Sequence, residues 1–195
     1  MKQLFILAFS MLSLGTLAQH HDNTEHIATT ANHSEQHSAH GKHKLSLYTG
    51  FTHIPSAFYE HETHEESTGK WVPTIGLDYY YSLNKQWELG LIGDIELDQY
   101  YIKTSDHDEL ERNNVVVIAA VGKFKPTRRI GVIAGPGIEW EFNNHKDTKS
   151  FFVLKMGIEY EVAIEKGWEL TPMFSYDFKE EYSAYGFGIT IGKRF

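Results

Sequence analysis

From Lys44 to Phe195, large apolar side chains recur at every second position in eight successive runs. A period of two is the signature of a strand with two chemically different faces. The last run reads Tyr185-Gly-Phe187-Gly-Ile189-Thr-Ile191-Gly-Lys193-Arg-Phe195. Its apolar positions are aromatic or aliphatic, and the gaps hold glycine, threonine or arginine. In water such a strand would be an aggregation hazard. In a closed barrel its apolar face can meet hydrocarbon while the other face lines a lumen.

The remaining runs follow the same rule. Leu45, Leu47 and Phe51 alternate with Ser46, Tyr48 and Gly50. Trp71, Ile75, Leu77, Tyr79 and Tyr81 share one face of the next run. After a short turn at 84–86, Trp87, Leu89, Leu91 and Leu97 oppose Glu88, Asp94, Glu96 and Asp98. Val115 to Phe124 is the most uniformly apolar run. Pro126-Thr127-Arg128-Arg129 turns the chain. Val132, Ile138 and Trp140 then oppose Glu139 and Glu141. Phe152, Met156, Ile158 and Tyr160 oppose Lys155, Glu159 and Glu161. Beyond a tight turn at 165–167, Trp168, Phe174, Tyr176 and Phe178 oppose Glu169, Ser175 and Asp177. Short connections alternate with longer ones at 54–70, 103–113, 143–149 and 179–182. Trp71, Trp87, Trp140 and Trp168 all fall near strand ends, where aromatic girdles sit at membrane–water interfaces.

The pattern predicts an all-β fold: an eight-stranded antiparallel up-and-down transmembrane β-barrel over 44–195. The competing architecture is a soluble sandwich or lipocalin-like barrel with the apolar face inside. The many glycines on the polar face favour a narrow lumen on that side.

Residues 1–18 read as a signal peptide. Lys2 precedes an apolar run, Leu4 to Leu17, and Thr16-Leu17-Ala18 supplies small residues for cleavage after Ala18. The run is shorter than the ~20 residues that span a bilayer as a helix. Loss of Lys2 takes the net charge from −8 to −9. That balance argues against a nucleic-acid partner, which needs a basic surface. The chain has no cysteine, so neither a disulfide framework nor an N-terminal lipid on cysteine is available.

Residues 19–43 form a separate, disordered histidine-rich segment. It holds His20, His21, His26, His33, His37, His40 and His43 among Asn, Ser, Thr and Glu. It has too few large apolar side chains to offset its ordering entropy. Imidazoles bind borderline ions such as Zn²⁺, Cu²⁺ and Ni²⁺. His37, His40 and His43 stand three residues apart and can wrap an ion. His61 and His64, flanked by Glu60, Glu62, Glu65 and Glu66, form a second candidate in the first long loop. Their spacing is one residue short of the zinc-protease motif HExxH. The alternative is a polar linker and hydrated acidic loops, and no cofactor is required.

A third candidate is the polar face. Glu88, Asp94, Glu96, Asp98, Glu139, Glu141, Glu159, Glu161, Glu169 and Asp177 all fall there, with Lys155 and Arg194 as the clearest opposing charges. The face is either a hydrogen-bonded plug or a cation-attracting lumen. For catalysis, His53 with Ser56 is the one plausible pair, and it lacks a third group. The expectation is a protein that is not an enzyme.

The strand pattern, the Thr16-Leu17-Ala18 site and the terminal Phe195 resemble the small outer-membrane β-barrel proteins of Gram-negative bacteria. The resemblance implies an outer-membrane location with both termini periplasmic. It also implies recognition of Tyr185, Phe187, Ile189, Ile191 and Phe195 by the barrel-assembly machinery. Lys193 departs from that pattern. The group is functionally mixed. Three readings remain: metal handling at the envelope through the histidines, a structural or adhesive barrel with partner-binding loops, and a lipid-modifying enzyme.

Overall fold

The computed structural model describes residues 41–58, 69–103, 109–141 and 150–195. Its strands are β1 (His43–Ile54), β2 (Ala57–Phe58), β3 (Lys70–Ser82), β4 (Trp87–Lys103), β5 (Glu109–Phe124), β6 (Ile130–Glu141), β7 (Phe151–Tyr160), β8 (Val162–Ala163), β9 (Trp168–Lys179) and β10 (Ser183–Arg194). Eight are long; β2 and β8 are two-residue additions that pair with β4 and β9. No described helix is long and apolar enough to cross a membrane, which says nothing of crossing by strands.

Each long strand pairs antiparallel with its sequence neighbour, and β10 pairs with both β9 and β1. The sheet therefore closes on itself. The first residue of β1 and the last residue of the chain seal one end. His43 N–H donates to Phe195 O at 3.1 Å, and Phe195 N–H donates to His43 O at 2.9 Å. His43, read above as the end of the tail, is thus the first residue of β1.

Two differences from the sequence reading concern strand length. The second outward loop was expected at 103–113, yet β4 runs to Lys103 and β5 begins at Glu109. The register between β4 and β5 shifts between Glu96 and Gln99, and Asn114 on β5 adopts φ 48°. A bulge of this kind adds a residue, bends the hairpin and re-aims its side chains. Beyond it, β4 pairs with β5 on one edge and with Ala57 and Phe58 of β2 on the other. Lys179, expected in the last loop, closes β9 instead.

The short turns are made by side chains that replace missing backbone partners. Asn84 Oδ1 accepts from Gln86 N–H at 2.8 Å and Trp87 N–H at 2.9 Å. Thr127 Oγ1 accepts from Ile130 N–H at 3.0 Å. Lys166 and Gly167 turn the chain with φ 61° and 81°. A Cβ at Gly167 would stand 2.9 Å from the Arg194 carbonyl oxygen, so glycine is required twice over. Neighbouring turns are stitched by Lys125 N–H to Gln86 O at 2.7 Å and Glu161 N–H to Arg129 O at 2.6 Å.

Inside the barrel, the Tyr48 ring lies against Gly188 and Gly186. A Cβ at Gly188 would run into that ring and the Thr49 carbonyl oxygen. Gly188→Val should therefore lose about 1–3 kcal/mol by overpacking. Ile189→Val, on the outward face one residue on, should stay within ~1.5 kcal/mol of wild type. Urea midpoints of the heat-modifiable gel species check both.

Candidate functional site

The alternation expected from sequence places the large apolar residues outside. Leu47 is 66 % exposed, Leu77 52 %, Ile191 50 % and Phe195 62 %. Trp71, Trp87 and Trp168 are exposed near strand ends, with Phe187 against Trp71 and Phe124 against Trp87. The barrel is inside-out: an apolar belt with aromatic rims encloses a charged interior, the distribution that suits strands facing lipid.

The interior is neither an open acidic channel nor uniformly polar. At the long-loop end it is packed by Ile54, Val72, Tyr100, Ile102, Val115 and Val117 with neighbours. A second apolar layer, Tyr80, Ile92, Ala119, Val121 and Ile133, lies further down. This corrects the expectation of a polar lumen face throughout. It also explains why β5 reads as apolar on both faces: one side meets the belt, the other fills these two layers.

The charges occupy three tiers between and beyond the apolar layers. In the first, Lys179 Nζ bridges Glu139 at 2.5 Å and Glu96 at 3.2 Å. Arg112 pairs with Glu139 and, at 2.7 Å, with Glu141. Tyr182 Oη donates to Glu139 at 2.6 Å, and Tyr100 Oη donates to Glu96 at 2.6 Å. In the second tier, Lys155 Nζ sits between Asp177 at 2.8 Å and Asp94 at 3.1 Å. The third tier seals the short-turn end. Lys123 meets Glu159 at 2.6 Å, Lys44 meets Glu169 at 2.8 Å, and Lys125 meets Glu161 at 2.7 Å. Arg194 joins Glu169 at 2.5 Å and Glu88 at 2.8 Å. Lys123 also lies 3.8 Å above the Tyr80 ring. Lys70 with Asp98, at 3.1 Å, stands at the opposite rim.

All ten carboxylates picked out by alternation are thus in ion pairs. The sequence reading found two of their partners, Lys155 and Arg194. It missed Lys44, Lys70, Arg112, Lys123, Lys125 and Lys179. Lys44, Lys70 and Lys179 lie one period beyond residues whose inward parity was clear, so extending each run by two positions would have found them. Arg112 was hidden by the bulge, because the parity of β5 changes between Arg112 and Val115. Asp78 was missed as well. It is 2 % exposed, makes no ion pair among the described residues, and its Oδ1 has no hydrogen-bond partner.

Most of the candidate metal ligands, His20, His21, His26, His33, His37, His40, His61 and His64, lie outside the described residues. His43 is described. Its Nδ1 is 2.7 Å from Tyr79 Oη, and its ring stacks on Phe195 with centroids 5.9 Å apart. Among the described residues, no group of three or more His, Asp or Glu side chains is disposed to hold a metal ion. His53 stacks on Trp71 at 4.5 Å, and its Nδ1 has no hydrogen-bond partner. Ser56 stands on the exposed turn after β1.

No protein-family model and no curated protein matches this chain. Several solved barrels are similar to it. Ail, the attachment invasion locus protein of Yersinia pestis, shares 15% identity at a TM-score of 0.46, over 80% of this chain and 99% of that one. The N-terminal β-barrel domain of Pseudomonas aeruginosa OprF shares 13% at 0.45, over 80% and 99%. The outer membrane protein OprG from Pseudomonas aeruginosa shares 11% at 0.45, over 78% and 97%. At these identities and TM-scores, none of them transfers a ligand or a role to this chain.

The second tier makes a sharp energetic test. Lys155→Met strands Asp94 and Asp177 without their cation and should cost ~3–5 kcal/mol. Adding Asp94→Asn and Asp177→Asn should restore most of that loss, because no buried charge is then left uncompensated. Asp78→Asn should leave stability unchanged or raise it, since that carboxylate has no cation to lose. Denaturant titrations of the folded species rank the variants.

Proposed function

We propose that this chain is a non-enzymatic outer-membrane β-barrel that acts through the surfaces at its two ends rather than through its lumen. The observation that carries this reading is the filled interior. Three tiers of protein–protein ion pairs and two apolar layers occupy the space a solute would need. An eight-stranded barrel has room for side chains or one small ligand, and here side chains take it. The inside-out belt supports the membrane location, and the signal-peptide pattern of residues 1–18 supports export.

On this reading the short turns, the start of β1 and the end of β10 face the periplasm. The segments 59–68 and 104–108, which are acidic in sequence, and 142–149, which carries two lysines and one aspartate, then belong to the outward side. A structural or adhesive role, with those loops as partner surface, follows most directly. The outward Phe187, Ile189 and Ile191 of β10, with Phe195 directly after it, support recognition of that strand by the assembly machinery.

The histidine-rich segment favours a second reading, metal handling at the envelope. Its support is compositional: seven histidines in residues 19–43. Zinc, copper or nickel would be bound there without fixed geometry. The outward stacking of His53 on Trp71 speaks against the lipid-modifying alternative.

Two measurements test these readings. Reconstituted in a planar bilayer, the barrel should show no steady unitary conductance; sustained openings would remove the filled-lumen reading. In a zinc titration, deleting residues 19–40, which leaves β1 whole, should abolish the binding of the full chain. Unchanged binding would end the metal role of the tail and leave the display role standing.

A further inference from the structure

We propose that the short-turn end of the barrel carries a ring of cations that binds the phosphates of anionic glycerophospholipids in the adjoining leaflet. The inference rests on the membrane reading above and adds a lipid preference to it.

The cations whose side chains are described divide into two sets. Lys44, Lys70, Arg112, Lys123, Lys125, Lys155, Lys179 and Arg194 are turned inward and ion-paired. Lys42, Lys85, Arg128, Arg129, Lys166 and Lys193 are exposed, and none makes an ion pair among the described residues. All six of the second set lie at the same end. Lys42 precedes β1, Lys85 is in the β3–β4 turn, and Arg128 and Arg129 are in the β5–β6 turn. Lys166 is in the β8–β9 turn, and Lys193 is at the end of β10. They are therefore distributed around the circumference rather than gathered on one side.

Carboxylates do not follow them. Glu165 is the one exposed described acidic side chain at that end. The others near it, Glu88, Glu159, Glu161 and Glu169, point inward and are neutralised by the third ionic tier. At the long-loop end the exposed described carboxylates are Glu109, Glu111 and Glu180. Among the described side chains, one rim is thus basic and the other acidic.

Two of the six cations are held at headgroup depth by aromatic rings. Lys193 Nζ lies 5.5 Å from the centroid of Trp168, and Arg129 Nη1 donates to Tyr160 Oη at 3.2 Å. Trp168 and Tyr160 belong to the aromatic rim, which sits at the boundary between hydrocarbon and headgroups. Long basic side chains at such a rim lay their apolar stems on it and keep the charged head in the polar layer. Phosphate is the anion found there in every glycerophospholipid. A net negative headgroup adds Coulomb attraction that a zwitterionic one lacks.

The test uses the full chain assembled in phosphatidylcholine vesicles with and without phosphatidylglycerol. Spin-labelled lipids report the relative association of the two headgroups with the folded barrel. The expected result is a several-fold preference for phosphatidylglycerol that fades as salt is raised. Arg128→Gln, Arg129→Gln and Lys193→Gln together should bring the ratio close to one while the barrel remains heat-modifiable. Location is checked by headgroup-labelled phosphatidylglycerol: it should quench Trp87 and Trp168 in a Trp71→Phe, Trp140→Phe chain. The reciprocal chain, Trp87→Phe, Trp168→Phe, should be quenched less.

A folded barrel with no preference, or a triple variant that keeps the full preference, would overturn the proposal. Failure to insert in either vesicle would overturn the membrane reading instead. If the triple variant does not fold, the salt dependence and the end-selective quenching of the remaining chains decide.

Discussion

Everything in this barrel depends on β1 being hydrogen-bonded on both edges, to β3 and to β10. Closure removes the free edges that would make eight amphipathic strands a polymerisation hazard. It also ties the parity of every strand to that of its neighbours. Once Lys44 faces Arg194 and Tyr80 across the ladders, a one-residue slip anywhere would turn a whole run inside out. The backbone pair between His43 and Phe195 fixes that register at one rim.

The interior ion pairs make sense as the means of holding that register. Removing charges from water is costly, and a buried ion pair by itself contributes little net stability. A strand with apolar residues on both faces, such as β5 from Val115 to Val121, has no preference for which face is in. Its ends supply one: Arg112 must reach Glu139 and Glu141, and Lys123 must reach Glu159. A slipped β5 would place these cations in the apolar belt. The tiers thus select one arrangement among several of similar apolar burial, and the glycines beneath Tyr48 leave room for the packing that results.

Much of this was legible in the sequence because period two is a local signal. Belt residues, strand count, alternating turn lengths and inward carboxylates all follow from counting positions along one run. What was not legible depends on pairing between runs. The register shift opposite Asn114 breaks the count within β5, so Arg112 looked like a loop residue. Lys123 sat in a run apolar on both faces, where parity carries no contrast. The apolar layers formed by Ile54, Val72, Tyr100 and Val115 come from four different strands and have no signature in any one of them. As a result the lumen looked like an unbalanced acidic surface, when its missing cations were waiting at strand ends.

That balance also bears on where function can reside. Inside, carboxylates and cations satisfy one another, and no described group is left that must recruit a solute. Asp78 is the exception, and it is enclosed. Outside, the belt offers hydrocarbon-like side chains that discriminate little between lipids. The residues with unspent charge are at the rims, and the two rims differ in sign. An unpaired ring of lysine and arginine in water would be screened within about 10 Å at ordinary ionic strength. Beside a charged bilayer surface, the same ring acts at contact distance, where screening is weakest. The membrane is therefore the environment in which the basic rim has the largest energetic effect.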